Sequence, residues 1–228
     1  MFAVKLIFNK KSKTRSMKKI ILLVAITATV FASCIGEKKE KTAIKDAVEV
    51  AVNATELNNV DIATSVLNWK GSKPTGSHNG TVGLQSGGLL IENGTLTQGV
   101  FVVDMNTITN TDMAGTNGAA KIEGHLKASD FFDVAVAPTA KFVITSVVDT
   151  EGKLAVTGNL TIKNTTKSIT IPATIATVAG ITTFKSETFT IDRTDFNVKY
   201  GSKKFFEGLK DKFINDLMEM SFSVVTKA

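Results

Sequence analysis

The sequence predicts an all-β domain folded as a closed antiparallel barrel, and three observations support this prediction. First, apolar residues alternate with Thr, Ser and Lys, which is typical of strands with one buried and one solvated face. This alternation is present in segments 141–145, 154–162, 168–175, 188–192 and 218–225. Second, turn sequences such as 92–94 and 151–152 separate these segments. Third, two short stretches depart from the alternation and would cover the barrel.

Those two stretches are predicted to be short helices. Residues 125–133 and 211–217 each carry a pair of apolar residues at roughly helical spacing. Many meandering strands with two helical covers favour a closed barrel, because closure leaves no unpaired strand edge. The domain is expected to occupy residues 61–228, which is enough chain for a core of its own.

The first 33 residues form a separate segment that is predicted to direct export. They contain seven basic residues and no acidic residue, and an apolar run extends from Ile20 to Phe31. A basic flank, a short apolar run and small residues are typical of a secretory signal peptide rather than a membrane span. Met17 is a candidate for the true first residue, since Met17-Lys18-Lys19 by itself begins such a leader.

Cys34 is the only cysteine of the chain and follows two small residues, Ala32 and Ser33. This ending resembles the signal of bacterial lipoproteins, although Phe31 stands where an aliphatic residue is usual. The resemblance implies cleavage before Cys34, lipidation of its thiol and attachment to the membrane of the cell envelope, on the periplasmic side or the cell surface. The alternative is an ordinary signal peptide followed by an incidental cysteine. Residues 34–60 are predicted to be a flexible tether.

The basic charge of the chain belongs to its leader. The chain has 27 Lys and Arg against 21 Asp and Glu, a formal net charge of +6. Removing the seven basic residues of the leader leaves 20 basic against 21 acidic residues. The charge therefore gives no indication of nucleic-acid binding, and no nucleic-acid partner is expected. The sequence makes no prediction of the oligomeric state.

A series of motifs in fixed order runs through the domain. They are 69–71 (WKG), 78–80 (HNG), 99–105 (GVFVVDM), 125–134 (HLKASDFFDV), 138–142 (PTAKF), 156–162 (VTGNLTI), 191–201 (IDRTDFNVKYG) and 211–214 (DKFI). Together they resemble the YceI-like family, the polyisoprenoid-binding, lipocalin-like proteins of bacteria, over about residues 61–227. One departure is the turn at Lys163-Asn164-Thr165, where that family usually has a glycine.

The resemblance implies an eight-stranded antiparallel, lipocalin-like barrel whose apolar cavity holds an isoprenoid chain, either a quinone tail or a polyprenyl lipid. It implies carriage or storage of that lipid, with no catalytic residue and no cofactor beyond the bound lipid or quinone. Long apolar residues expected to face inward are the candidate cavity wall: Phe101, Phe142, Ile144, Leu160, Ile162, Phe189, Ile191, Met220 and Phe222. The alternative is that these residues fill the barrel, which would favour a surface interaction protein.

Polar residues within the motifs are candidates for a polar mouth of the cavity: His78, Asp104, His125 and Arg193. The alternative for the two histidines is that each holds a loop by hydrogen bonds, with His125 orienting the helix that follows. Arg193 could meet a ligand head group, but the neighbouring Asp192 and Asp195 favour a local ion pair. A metal-dependent enzyme using His78 and His125 is a further alternative. It is disfavoured because the histidines are 47 positions apart, and no metal is expected. The chain also lacks a Gly-x-Ser-x-Gly elbow and a glycine-rich phosphate loop.

Overall fold

The computed structural model describes residues 41–49 and 57–227, most of which form strands. The strands are β1 (Ile44–Asp46), β2 (Val66–Lys73), β3 (Gly76–Glu92), β4 (Thr95–Asn110), β5 (Thr139–Thr150), β6 (Lys153–Ile162), β7 (Thr165–Val178), β8 (Ile181–Ser186), β9 (Phe189–Asp192) and β10 (Leu217–Val225). Helix α1 (Asn117–Lys127) precedes β5, and a 3-10 turn (Arg193–Phe196) follows β9. The predicted signal peptide and Cys34 lie outside the described residues. None of the described helices is long and apolar enough to cross a membrane.

Eight antiparallel strands close into a barrel. Hydrogen-bonded neighbours run from β2 through β3, β4, β5, β6 and β7 to β8, and β10 pairs with both β8 and β2 to complete the ring. Strand β9 continues the line of β8 along the first half of β10. The prediction of an eight-stranded antiparallel barrel is therefore confirmed.

The two ends of the barrel differ in their connections. Because successive strands reverse direction, alternate connections lie at opposite ends. One end, which we call the helix end, holds the two long connections, 111–138 with α1 and 193–216 with the 3-10 turn, together with the two-residue turns 74–75 and 163–164. Two-residue turns mark the other end, which we call the hairpin end: 93–94, 151–152 and 179–180.

The structure corrects the first helix prediction. Helix α1 ends at Lys127, so it overlaps the predicted helix 125–133 only over its last three residues. It begins after Thr116, whose side chain accepts a hydrogen bond from the backbone N–H of Ala119 as an N-cap. Residues 128–134 instead form turns, closed by hydrogen bonds such as the one from the N–H of Phe131 to the carbonyl of Ala128.

The second helix prediction is wrong. Residues 211–216 form turns and irregular chain, and strand β10 begins at Leu217. Leu217 pairs with Asp192 of β9, so its backbone belongs to the sheet and not to a helix. The backbone N–H of Ile214 donates to the carbonyl of Gly201, which ties this segment across the helix end instead of to itself.

Part of the predicted tether is docked on the barrel. Strand β1 pairs with β7, with Ile44 opposite Ile169. The backbone N–H of Thr42 donates to the carbonyl of Thr190 in β9 over 3.1 Å. The half-buried Ile44 packs against the core, and burial of this apolar side chain stabilises the pairing of β1 with β7. Residues 41–46 thus contact both β7 and β9, which differs from the flexible tether expected for residues 34–60.

The turn between β6 and β7 accommodates the missing glycine. Lys163 and Asn164 both have left-handed backbones, with φ of 47° and 58°, in the two-residue hairpin between Ile162 and Thr165. Such turns require positive φ at both central residues, for which glycine and asparagine are best suited. The ammonium of Lys163 donates to the carbonyl of Phe131 over 2.8 Å and so ties this turn to the α1–β5 connection.

Candidate functional site: an apolar cavity at the helix end

The inward-facing residues of the barrel surround a cavity in the half nearest the helix end. Its wall includes Ile162 at the end of β6 and Ile169 near the start of β7, and Leu126 of α1 and Phe132 cover it. The volume of the cavity is about 120 Å³.

All of the described residues that line the cavity are apolar. They are Leu67, Trp69, Val82, Leu84, Phe101, Val103, Met105, Ile108, Leu126, Phe132, Ala140, Phe142, Leu160, Ile162, Ile169, Ile171, Phe189, Ile191, Met218, Met220, Phe222 and Val224. A ligand inside this space would find dispersion contacts and no hydrogen-bond partner among these side chains. The site is therefore suited to hydrocarbon.

Eight of the nine residues predicted for the cavity wall lie on it, and the exception is Ile144. Ile144 is buried, but it points into the half near the hairpin end and packs over Gly99. The strand register places Phe101, Phe142 and Leu160 side by side across β4, β5 and β6. Their contact with a ligand stays a prediction.

The half of the barrel near the hairpin end is filled. Phe184 has no solvent exposure, and its ring lies 6.1 Å from that of Phe101 and 4.9 Å from that of Phe222. These three rings separate the cavity from the closed part of the core, where Val156 is also fully buried. The alternative of a filled barrel thus describes only this half.

A glycine on β6 shapes the floor of the cavity. The ring of Phe142 lies directly against Gly158, where an added Cβ would come within 2.4 Å of the ring. The close approach lets the Phe142 ring lie against the sheet instead of projecting across the cavity.

The residues that sequence reasoning missed follow the same alternation as those that it found. Trp69 is the clearest example, because its indole N–H donates to the carbonyl of Thr81 over 3.3 Å while its ring faces the cavity. Met218 and Val224 alternate with the predicted Met220 and Phe222 on β10. The period-two pattern could have identified them, since it assigns every second residue of a strand to one face.

Arg193 does not face the cavity. Its side chain is 1% exposed, and its guanidinium donates to three backbone carbonyls. These belong to Val198, Ile214 and Asn215, at 2.7, 3.1 and 3.2 Å. Burial lowers the pKa of Arg193, and the nearby charge of Asp216, 3.5 Å away, opposes this effect. Arg193 therefore holds the 193–216 connection together.

Asp192 and Asp195, the ion-pair partners expected for Arg193, pair with lysines instead, and Asp192 acts on Arg193 only through its nearby charge. Asp192 accepts hydrogen bonds from the backbone and hydroxyl of Thr194, and its other oxygen receives the ammonium of Lys204. Asp195 pairs with Lys41 over 2.6 Å. Burial opposes ionisation of Asp192, but the hydrogen bonds from Lys204 and Thr194 outweigh it and lower the pKa of Asp192 to about 2.

His78 is held by an acidic neighbour at the helix end. Its Nδ1 lies 2.8 Å from the carboxylate of Asp112. This carboxylate also accepts a hydrogen bond from the backbone N–H of Asn79. The bond from Asn79 and then the bond from His78 lower the pKa of Asp112 to about 2. His78 therefore fastens the start of β3 to the chain that follows β4.

His125 has different neighbours. Its Nε2 lies 3.5 Å from a carboxylate oxygen of Asp130. Its ring makes T-shaped contacts with the rings of Tyr200 and Phe131, with centroid separations of 4.6 and 5.7 Å. His78 and His125 thus pair with separate acids, and no group of three His, Cys, Asp or Glu side chains suited to a metal ion exists within residues 41–49 and 57–227.

Asp104 lies on the outer face of β4. Its neighbours Val103 and Met105 line the cavity, so alternation turns Asp104 away from it. Its carboxylate accepts hydrogen bonds of 3.0 Å from the backbone and side-chain nitrogens of Asn106. This local role corrects its predicted position at a polar mouth.

A family model for the YceI-like domain matches residues 58–226 of the chain. The chain belongs to the YceI-like family. It is similar to protein YceI of Salmonella arizonae and of Salmonella paratyphi B, each 39% identical over 69 residues, or 30% of this chain. Those residues are 36% of each relative, so the match spans about a third of the curated relatives' length.

Two solved structures of known proteins share the fold. Burkholderia cenocepacia BcnA has a TM-score of 0.61 at 22% identity, covering 74% of this chain and 100% of BcnA. A polyisoprenoid-binding domain from Saccharophagus degradans, implicated in plant cell wall breakdown, has a TM-score of 0.58 at 19% identity. That comparison covers 76% of this chain and 99% of the domain.

Proposed function

We propose that this YceI-like protein binds a long isoprenoid lipid, a quinone or polyprenyl chain, in the cavity at the helix end, and carries or stores it without chemical change. The observation that carries this proposal is a cavity whose described lining is wholly apolar. We further propose that the chain is exported and anchored through lipidated Cys34 in the bacterial cell envelope. This location would keep the barrel beside the membrane in which such lipids reside.

The chemistry of the cavity favours a long hydrocarbon over a compact polar ligand. Transfer of hydrocarbon from water stabilises a complex by about 0.8 kcal/mol per methylene, or about 3–4 kcal/mol for a five-carbon unit. Association costs several kcal/mol, so about two or three units are needed before binding becomes favourable. A short ligand would therefore bind weakly.

The polar part of the ligand is expected to lie outside the cavity wall. Two polar groups at the helix end already have partners in the protein: Arg193 donates to backbone carbonyls, and His78 is paired with Asp112. A buried head group would lose its hydrogen bonds to water without replacement, which is costly. Affinity should therefore depend on the chain more than on the head group.

The proposal is tested by native mass spectrometry of the protein produced with its leader and purified from bacterial membranes. We expect a bound mass that is released as an isoprenoid lipid, on a chain that begins at an acylated Cys34. Ala140→Leu should lose the bound lipid, because Ala140 lines the cavity and three added carbons would occupy it. A lipid-free protein that also fails to take up added long-chain quinone would refute the binding role.

Val148→Leu is the matched control for the cavity variant. Val148 is 60% exposed and lies near the hairpin end, so its enlargement leaves the cavity unchanged. It should retain the lipid of the wild-type chain. Loss of lipid from both variants would show that retention does not report on the cavity.

A further inference from the structure

The connection between the 3-10 turn and β10 exposes several aromatic side chains. We name residues 199–213 the aromatic-basic loop. Phe205 and Phe206 are each 47% exposed, and Tyr200 is 41% exposed. Two adjacent, half-exposed phenylalanines indicate an interaction surface, because their apolar area is more stable when it is removed from water.

The same loop concentrates positive charge. It contains five lysines and two acidic residues: Lys199, Lys203, Lys204, Lys210 and Lys212, with Glu207 and Asp211. Its net charge is therefore +3, whereas the chain from residue 34 onward has 20 basic and 21 acidic residues in total. A local positive patch on an otherwise acidic domain attracts anionic surfaces.

The loop is an ordered platform. The backbone N–H groups of Phe205 and Phe206 both donate to the carbonyl of Ser202, which is fully buried. The ammonium of Lys199 lies 4.9 Å from the centre of the Phe205 ring. The two exposed rings are thus held outward together, beside a lysine.

The loop lies next to the point where the described chain begins. Lys204 of the loop and Lys41 both contact the carboxylate of Asp192. Cys34 precedes Lys41 by only seven residues, which can span at most about 25 Å when fully extended. A lipid on Cys34 would therefore hold the loop close to the bilayer.

From the exposed rings, the charge and this position, we propose that the aromatic-basic loop docks the helix end of the barrel onto an anionic lipid bilayer. The phenylalanines enter the interfacial region, where aromatic rings are favoured. The lysines other than Lys204, which is paired with Asp192, face the lipid phosphates. Docking in this way brings the half of the barrel that contains the cavity towards the membrane. The argument from position rests on the proposed lipidation of Cys34. The contact itself requires neither that lipid nor a ligand in the cavity, so it can be tested in a chain without the cysteine.

The test uses the full chain with Cys34→Ser, which leaves one introduced cysteine for labelling. Glu207→Cys carries an environment-sensitive nitrobenzoxadiazole probe beside both phenylalanines. With vesicles of equal parts phosphatidylglycerol and phosphatidylcholine, we expect a several-fold rise and a blue shift of the probe emission. The local probe separates contact by the loop from any binding by the apolar leader.

Val178→Cys provides the matched control, because Val178 is 75% exposed at the hairpin end. Its probe should remain in water. Replacing Phe205 and Phe206 by serine in the Glu207→Cys chain should abolish the response. Replacing Lys203, Lys210 and Lys212 by glutamine should reduce it at least about fivefold, and so should high salt. Thermal unfolding should show that these exposed substitutions leave the fold intact.

Three outcomes would overturn the proposal: no response at residue 207, an equal response at residue 178, or an equal response with vesicles of phosphatidylcholine alone. The first outcome would favour an acidic protein as the partner of this surface. The last would show that the lysines do not contribute to binding and that an anionic bilayer is not required.

Discussion

The two halves of the barrel interior are built from the same kinds of side chain, yet one is filled and the other is not. Near the hairpin end, Phe184 and Val156 are fully buried. Near the helix end, Phe189 and Met220 line open space. Every strand contributes alternating apolar residues to the interior, so the alternation alone does not distinguish the halves. The difference arises where side chains from several strands meet at one level.

The two ends are also closed differently. Two-residue turns such as 151–152 close the hairpin end, above a packed apolar core. The helix end is closed by long connections tied by polar contacts, notably those of Arg193 and Asp192. Open space beneath the helix end reduces the stabilisation available from packing, so these polar contacts are expected to contribute much of the stability there.

The largest expected effect comes from breaking the polar framework of the helix end at Arg193. Arg193→Ala would leave three carbonyls without their donor, that of Val198 in a buried bond, and would remove the ion pair with Asp216. We therefore expect the free energy of unfolding to fall by about 3–5 kcal/mol. Urea unfolding of both chains measures this loss. Lys210→Ala is the control on the exposed loop and should cost less than about 0.5 kcal/mol. A similar small loss for Arg193→Ala would contradict the structural role given to this residue.

The contrast between filled and open halves is sharpened by two matched phenylalanine substitutions. Phe184→Ala should cost about 3–5 kcal/mol, because it leaves a cavity in a packed region. Phe189→Ala should cost about 1–2 kcal/mol, since Phe189 is only half-buried and already borders open space. Thermal or urea unfolding compares them directly. Equal losses would mean that the two halves are packed alike.

A smaller effect should appear as a pH dependence from Asp192. Its pKa of about 2 in the folded chain lies below the unfolded value of about 3.9. The associated stability is therefore present above that unfolded value and is lost as the pH falls towards 2. Its size is about 2 kcal/mol. Asp192→Asn should remove this amount at pH 7 and flatten the fall in stability between about pH 5 and 2.

Asp46→Asn is the control for this acid-dependent loss. Asp46 pairs with Lys167, but its side chain is 98% exposed, so its removal should change little at any pH. Unfolding by urea at pH 7, 4 and 3 separates the two variants. If the free energy of unfolding of Asp192→Asn fell as steeply with decreasing pH as that of the wild-type chain, the acid sensitivity would arise from other carboxylates.

The sequence predicted the barrel well because its information was local. The period-two alternation identifies the inward face of each strand, and eight of nine predicted wall residues lie on the cavity. Ile144 was misplaced because alternation gives the face and not the level along the barrel axis. Its level depends on the register across β4, β5 and β6, which includes a bulge between Ile144 and Ser146.

The polar residues were harder to predict because their partners are distant in sequence. The carbonyls that bind Arg193 include those of Ile214 and Asn215, more than 20 positions away. Nearby Asp192 and Asp195 were better candidates by proximity alone. Helix α1 did carry a local signal, the Thr116 cap followed by Ile122 and Leu126 four residues apart.

The central claim, that the cavity at the helix end receives an isoprenoid chain, is tested most directly through Trp69. Trp69 is the only tryptophan of the chain and lines the cavity, so its emission reports on that space. Titration with geraniol, farnesol and geranylgeraniol should give saturable changes in emission, with tighter binding for each longer chain. No saturable change, or an affinity that is independent of chain length, would contradict the claim.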